Sequence, residues 1–463
     1  MKKKVNPLVI SSVLYILATA IGQGMIFLGI IVFTRLMSKK DYGDYSTYYA
    51  YVSLLTVLIG ANLYYALNNA YIDKAYRIKE FRKSVLVLSG CIAIPLTILL
   101  LLSSLFFKGA SSWAFLMAAF HSYGFFLVNY RMYSANMEND YRKKLWLLIL
   151  PNTLQFFLSL LLILLLPHFS FAARVAGSVA GVGLIGVIAF IEIIKCDGDL
   201  ISLDDWRYAL AISIPSIVMS LSYMLMQQCD KVMITKICGS EETAVYSVIY
   251  YLGFAMIAVN QAVSPVRQAW LYKRLSKNNL SGMKELQKSY LFVFAFLATA
   301  VMMFGKLAVK IIAPPAYWQF GYIVPFVVGA SMMMLYTFYT DIILYYKKNT
   351  ILSVAVLLSA VINVGLNALC IPKLGSIAAC YTTVVSYLFL FFLTGIIAGR
   401  LIEDVYSKAY FSAFLVWIVI ISLISFLTDD IEWFRYTFYG IALVVMIAYV
   451  IKNRSQFKKL VMK

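Results

Sequence analysis

Thr34-Arg35-Leu36-Met37-Ser38-Lys39-Lys40-Asp41-Tyr42-Gly43-Asp44-Tyr45-Ser46 is a short polar hinge between two apolar runs. Thr235-Lys236-Ile237-Cys238-Gly239-Ser240-Glu241-Glu242-Thr243-Ala244-Val245-Tyr246-Ser247 aligns with it position for position. Both open on a threonine followed by a basic residue, close on Tyr-Ser and follow a long apolar run. Such a match points to an internal duplication, the common build of transporters, in which the substrate path runs between the copies. The same offset sets the first apolar run on the seventh, the third on the ninth and the fourth on the tenth, and a small insertion brings Pro167 onto Pro372. An even number of runs separates the copies, so both halves share one orientation and relate by an axis along the membrane normal.

Outward from the hinge, the chain reads as an all-α integral membrane protein. Hydrophobic residues make up 62% of its 463 positions and charged residues 13%, where soluble domains carry roughly 25% charged residues. Its mean hydropathy is +0.83. Apolar stretches near the ~20 residues that cross hydrocarbon recur along almost the whole length. The pattern predicts about fourteen transmembrane helices, over 9–33, 45–66, 85–107, 113–135, 145–166, 172–194, 209–230, 243–264, 289–312, 321–344, 350–370, 375–399, 409–427 and 433–451. The repeat groups them into two parallel six-helix lobes, over 1–200 and 201–400, with two C-terminal helices and a basic cytoplasmic tail over 401–463.

The formal charge of +19 is not read as nucleic-acid binding, because the basic residues are scattered through short loops rather than gathered on one water-facing element. Lysine and arginine concentrate in alternate loops, among them Lys74, Arg77, Arg142, Lys143, Arg267 and Lys273, and this bias predicts both termini on the cytoplasmic side. The lysines after Met1 lead into an apolar run too long for a signal peptide and without a small-residue cleavage site, so it is read as the first span. Six cysteines lie mostly in spans with no CxxC spacing, so neither a disulfide framework nor a zinc site is indicated. Gly181-Val182-Gly183-Leu184-Ile185-Gly186 spells GxGxxG inside a span with no strand before it, and reads as close helix packing rather than a dinucleotide site.

The hinge residues carry a family resemblance. Thr34-Arg35-Leu36 through Tyr45-Ser46, Asp230-Lys231 through Tyr246-Ser247, and Asn363, Asn367 with Ile371-Pro372-Lys373-Leu374-Gly375-Ser376-Ile377-Ala378-Ala379 resemble the multidrug/oligosaccharidyl-lipid/polysaccharide exporter superfamily. The likeness is to its polysaccharide transporter branch, the O-antigen and capsule repeat-unit flippases; Ala378 stands where that pattern has a second glycine. The resemblance implies a non-enzyme of the bacterial cytoplasmic membrane. It would turn an undecaprenyl-diphosphate-linked oligosaccharide from inner to outer leaflet by alternating access. The implied partners are that lipid-linked oligosaccharide, membrane lipid and a polysaccharide polymerase complex, with no cofactor beyond coupled protons or sodium.

Such a cargo needs cations for the diphosphate and polar groups for the sugar. Ionisable groups within spans are the first candidates, since each costs about 2.5–3.5 kcal/mol at mid-membrane unless it faces water or a partner. Arg131, in Asn129-Tyr130-Arg131-Met132-Tyr133, is the leading phosphate ligand, with snorkelling to the interface as the competing reading. Arg35, Arg174, Lys306 and Lys310 stand near the outer side as receiving cations or as anchors, and Gln23 is a hydrogen-bonding candidate. Asp230 and Asp341 are candidates for ion coupling, with local charge pairing as the alternative. The first two spans carry no acid as bounded above, which argues against a drug/cation antiporter. A peptidoglycan lipid-precursor flippase, with the same fold, is the nearest alternative. Short outer loops argue against a polymerase or ligase.

Overall fold

The computed structural model describes residues 7–106, 112–196, 198–428 and 431–452. Lys2 to Lys4, Lys108 and the basic tail beyond 452 lie outside the described residues. Among the described residues there are fifteen α-helices and no strand, as expected where every backbone polar group must be satisfied within its own segment. The first eight are α1 (Pro7–Leu36), α2 (Lys39–Ile59), α3 (Tyr64–Asp73), α4 (Ile78–Phe106), α5 (Ser112–Met137), α6 (Tyr141–Leu165), α7 (Ser170–Ile194) and α8 (Leu203–Cys238). There follow α9 (Ser240–Leu275), α10 (Met283–Ile312), α11 (Ile323–Tyr345), α12 (Asn349–Leu374), α13 (Ala378–Leu401), α14 (Lys408–Leu427) and α15 (Glu432–Lys452).

Among the described residues twelve segments have the length and hydropathy of membrane spans, and α2 with α3 counts as one of them, Lys39–Asp73. With α1 and α5, which are 30 and 26 residues long, the expected fourteen are present. Lys39 and Ser240, aligned in the sequence repeat, are the first residues of α2 and α9.

Several helices run beyond the bounds read from the sequence, α4 from Ile78 and α8 through Cys238 among them, and two extensions bear on residues singled out above. α2 begins at Lys39, so Asp41 and Asp44 belong to a span read as free of acids. Their carboxylates sit at the helix start, where the N-terminal dipole favours negative charge. α9 continues through Pro265 to Leu275, and therefore takes in Arg267, which the sequence reading places in a loop. A proline inside a membrane helix is tolerated when neighbouring groups re-satisfy the freed carbonyl.

The described residues form two compact units, 1–244 and 245–463. In the first, α6 and α7 pack backbone to backbone. A β-carbon on Gly177 would fall 2.4 Å from the Ser159 main chain, and one on Gly181 2.4 Å from that of Gln155. The GxGxxG letters therefore mark helix packing. The break between α2 and α3 passes through Ala61 and Asn62, whose φ of 43° and 50° are left-handed. Buried Asn62 donates from Nδ2 to the Ser216 carbonyl at 3.2 Å, and its own carbonyl accepts from Ser213 Oγ at 3.4 Å. Both serines flank Pro215 inside α8, so the break between α2 and α3 is bonded to α8 beside its proline.

In the second unit α11 packs against α13. Asn363 and Asn367 of α12 are fully buried and bond along the α12–α13 seam, Asn363 Nδ2 donating to Thr383 Oγ1 at 3.4 Å and Thr382 Oγ1 donating to Asn367 Oδ1. α14 and α15 lie on α10, where Trp417 Nε1 donates to Thr299 Oγ1 at 3.0 Å. They turn Phe426, Leu427, Val444 and Val445 outward, the apolar exterior that lipid requires.

Candidate functional site

The densest charge cluster of the first unit gathers at the basic end of α5, α6 and α7. Arg131 of α5 is buried, 7% exposed. Its Nη1 donates to Glu138 Oε2 at 3.0 Å and its Nε to Glu192 Oε2 of α7 at 2.9 Å. Arg82 of α4 pairs with the other oxygen of Glu138, and Lys143 of α6 reaches Glu192 Oε2 at 3.2 Å. Three cations thus share two carboxylates. Burial would push the Glu138 carboxyl up, but the charges of Arg131 and Arg82 beside it outweigh that and hold it below the usual range.

The cluster borders a cavity of about 420 Å³, walled by Arg131, Arg142, Lys143 and Glu192 at one end and by Trp146, Leu150 and Ile188 along its side. Chemically it offers charge-assisted hydrogen bonding to an anion beside an apolar wall. Sequence reasoning singled out Arg131 but not Arg82, Glu138 or Glu192. The available signal was that all four are ionisable groups near the ends of consecutive apolar runs.

The other expected site residues lie elsewhere. Arg174 is buried in α7 within an aromatic box, its Cζ 3.8 Å from the Tyr45 ring centroid and 4.2 Å from that of Phe33, with Nη1 3.4 Å from Met37 Sδ. It pins the α1–α2 hinge to α7 by cation–π contact. Arg35 is exposed in the last turn of α1, and its Nη1 donates to the Ile31 carbonyl at 2.6 Å. Gln23, half-buried in α1, has an Oε1 that is buried without a hydrogen-bond partner. Lys306 and Lys310 of α10 are brought together, both over the Phe320 ring at 5.5 and 5.8 Å, with Trp318 5.6 Å from Lys310.

Asp230 and Lys231 are buried next to each other in α8, and Lys231 Nζ donates to Gln228 Oε1 at 3.1 Å. Asp341 of α11 is held in the second unit by Arg267 of α9, 1% exposed, whose Nη2 and Nε donate to Asp341 Oδ2 at 2.8 and 3.1 Å. Gln268 reaches Asp341 Oδ1 at 3.3 Å, and the Arg267 guanidinium lies 4.2 Å from the Phe338 ring. The acids of α2 are likewise engaged: Asp41 accepts from Ser170 Oγ at 2.5 Å and Asp44 from Ser240 Oγ. Among the described residues no group of three or more His, Cys, Asp or Glu side chains is arranged to hold a metal ion.

A sequence model of a family described as polysaccharide biosynthesis protein matches residues 8–271. The chain belongs to the polysaccharide biosynthesis protein family. No curated protein matches the sequence. Among solved structures, this family member is similar to a lipid II flippase MurJ in an inward closed conformation, with a TM-score of 0.68 and 15% identity over 97% of this chain and 100% of that one. It is also similar to an inward-facing multidrug resistance MATE transporter, with a TM-score of 0.59 and 15% identity over 83% of this chain and 94% of that one. A transporter of the same superfamily from Pyrococcus furiosus gives 0.56 and 15% over 85% and 96%. The family and the fold together place the chain in the polysaccharide transporter branch of the multidrug/oligosaccharidyl-lipid/polysaccharide exporter superfamily, as a multi-pass membrane protein.

Proposed function

We propose that the protein flips an undecaprenyl-diphosphate-linked oligosaccharide repeat unit from the inner to the outer leaflet of a bacterial cytoplasmic membrane, for surface polysaccharide such as O-antigen or capsule. The observation that carries this reading is the joint one of a polysaccharide biosynthesis family match and a flippase fold over 97% of the chain. Passage is by alternating access and breaks no covalent bond. An inside-negative potential favours export of the anionic head group by roughly 2.3 kcal/mol per charge per 100 mV. Arg131 is the proposed diphosphate contact, taking phosphate oxygens in place of Glu138 or Glu192. Arg35, Arg174, Lys306, Lys310 and Gln23 are proposed secondary contacts. Coupling to protons or sodium through Asp230 or Asp341 is part of the proposal, and for Asp341 it requires release from Arg267. Both termini are assigned to the cytoplasm, and a polysaccharide polymerase is the proposed membrane partner.

The test is reconstitution into vesicles carrying a fluorescent lipid-linked oligosaccharide on one leaflet. The wild type should make it accessible to a reagent on the other leaflet, and Arg131→Ala should slow this severely. Wild-type rates in Arg131→Ala would remove that residue from the path; no transfer by the wild type would sink the cargo assignment. A second reading, a peptidoglycan lipid precursor as cargo, is favoured by the likeness to the lipid II flippase. Rescue of cells depleted of their own precursor flippase separates the two.

A further inference from the structure

The cavity of about 420 Å³ beside Arg131 is lined by residues of the first unit alone. Its side wall is formed by Trp146 of α6 and Ile188 of α7, which are 61% and 55% exposed. Along the same helices Phe157, Leu161, Leu184 and Val187 also face outward, which extends the wall into an apolar track. A water-soluble ligand would leave this track bare, whereas an acyl chain covers it. The cavity's polar lining includes Arg142, exposed and 6.0 Å over the Tyr141 ring, Lys143, 35% exposed at its side chain, and Asp140, whose Oδ1 accepts from the Lys143 main-chain N–H at 3.0 Å.

Arg131 closes the back of the cavity, with its charge already answered by Glu138 and Glu192. The cations that remain open to the bilayer are therefore Arg142 and Lys143, the latter sharing Glu192 at 3.2 Å. The cavity volume falls within the usual range for small-ligand sites, roughly 300–1,000 Å³. A volume of about 420 Å³ is ample for one glycerophosphate head group.

We infer that this cavity is a binding site for an anionic glycerophospholipid. Its phosphate is held by Arg142 and Lys143, its head-group hydroxyls are offered to the Glu192 carboxylate, and an acyl chain lies along the Trp146–Ile188 wall. Basic side chains near a membrane surface attract anionic lipid by charge, and an apolar wall converts that attraction into a seat for one molecule. The cavity is shared with Arg131, the proposed cargo contact, so the experiment must tell a lipid of the surrounding bilayer from the cargo.

The experiment is native mass spectrometry of the purified full chain titrated with phosphatidylglycerol, with phosphatidylcholine of the same acyl chains and with inorganic phosphate. One phosphatidylglycerol should be retained per chain at activation energies that strip phosphatidylcholine, and inorganic phosphate should not compete at equal concentration. The double variant Arg142→Ala/Lys143→Ala should weaken retention by about 25-fold, as the loss of two interfacial cations implies. Arg142→Lys/Lys143→Arg should keep it, and Ile188→Asn, which makes the wall polar without adding charge beside the cations, should also lose it. Equal retention of the two lipids would overturn the inference, as would unchanged retention by the double-alanine variant. Retention of undecaprenyl diphosphate but not phosphatidylglycerol would overturn it in favour of the cargo.

Discussion

Gly43 and Ser240 meet main chain to main chain: a β-carbon built on Gly43 would fall 1.7 Å from the Ser240 carbonyl oxygen. Ser240 opens α9 and Gly43 lies in the first turns of α2, so the start of the second hinge copy rests on the first. The contact continues through Thr47 Oγ1 and Thr235 Oγ1, 2.5 Å apart, and through Ser240 Oγ donating to Asp44. Glycine is required at position 43 by space rather than by conformation. Gly43→Ala should therefore destabilise the protein by about 1–3 kcal/mol, read as a lowered unfolding temperature in detergent, and Gly43→Val should cost more. An unchanged transition in both variants would contradict the contact.

The GxGxxG segment offers a test with its control two residues away. A β-carbon on Gly181 strikes the Gln155 main chain at 2.4 Å, whereas one on Gly183 meets nothing within 4 Å. Gly181→Ala should lower the unfolding temperature through overpacking of about 1–3 kcal/mol. Gly183→Ala should leave it unchanged or raise it slightly, because alanine favours the helix over glycine. Equal effects at the two positions would remove close packing of α6 on α7 as the reason for these glycines.

The helices were largely legible because hydrocarbon imposes long uninterrupted apolar runs. The errors fall at the membrane surface. Lys39, Lys40, Asp41 and Asp44 looked like a loop, yet a membrane helix keeps its hydrogen bonds beyond the apolar core and runs on into the polar zone. Arg267 likewise lies past the end of the expected span 243–264, while α9 runs on to Leu275. The carboxylates around Arg131 were hidden for a different reason: Glu192 lies 61 positions away, and no local pattern states which basic residue an acid will face. Composition does say that a buried arginine needs a partner.

The Arg267–Asp341 pair in the second unit gives a prediction about stability that is independent of cargo. Arg267 is 1% exposed, and Asp341 accepts two of its hydrogen bonds. Removing one partner of such a pair leaves an unanswered charge and costs about 3–5 kcal/mol, whereas removing both is far milder. Asp341→Leu and Arg267→Leu should each lower thermal stability strongly, and the double variant should recover most of the loss. A double variant no better than the additive sum would show that the two residues act separately. If Asp341 also carries the coupling ion, Asp341→Asn in vesicles should remove any dependence of transfer on the ion gradient.

The depressed Glu138 carboxyl fixes the pH dependence of the Arg82–Glu138–Arg131 cluster. Its folded-state pKa lies below the usual carboxylate range, because the two guanidinium charges outweigh burial. The unfolded chain therefore takes up the proton first as pH falls. The stability that the pairing supplies is whole above the unfolded value of about 4.3 and drains away as pH drops through the lower folded value. Glu138→Gln keeps the shape and removes the charge. The gap in unfolding temperature between wild type and Glu138→Gln should be widest near neutral pH, hold nearly constant down to about pH 5 and close below about pH 4. A gap that widened on acidification would mean that Glu138 is stabilised in its protonated form, and the two arginines could not then be holding its charge.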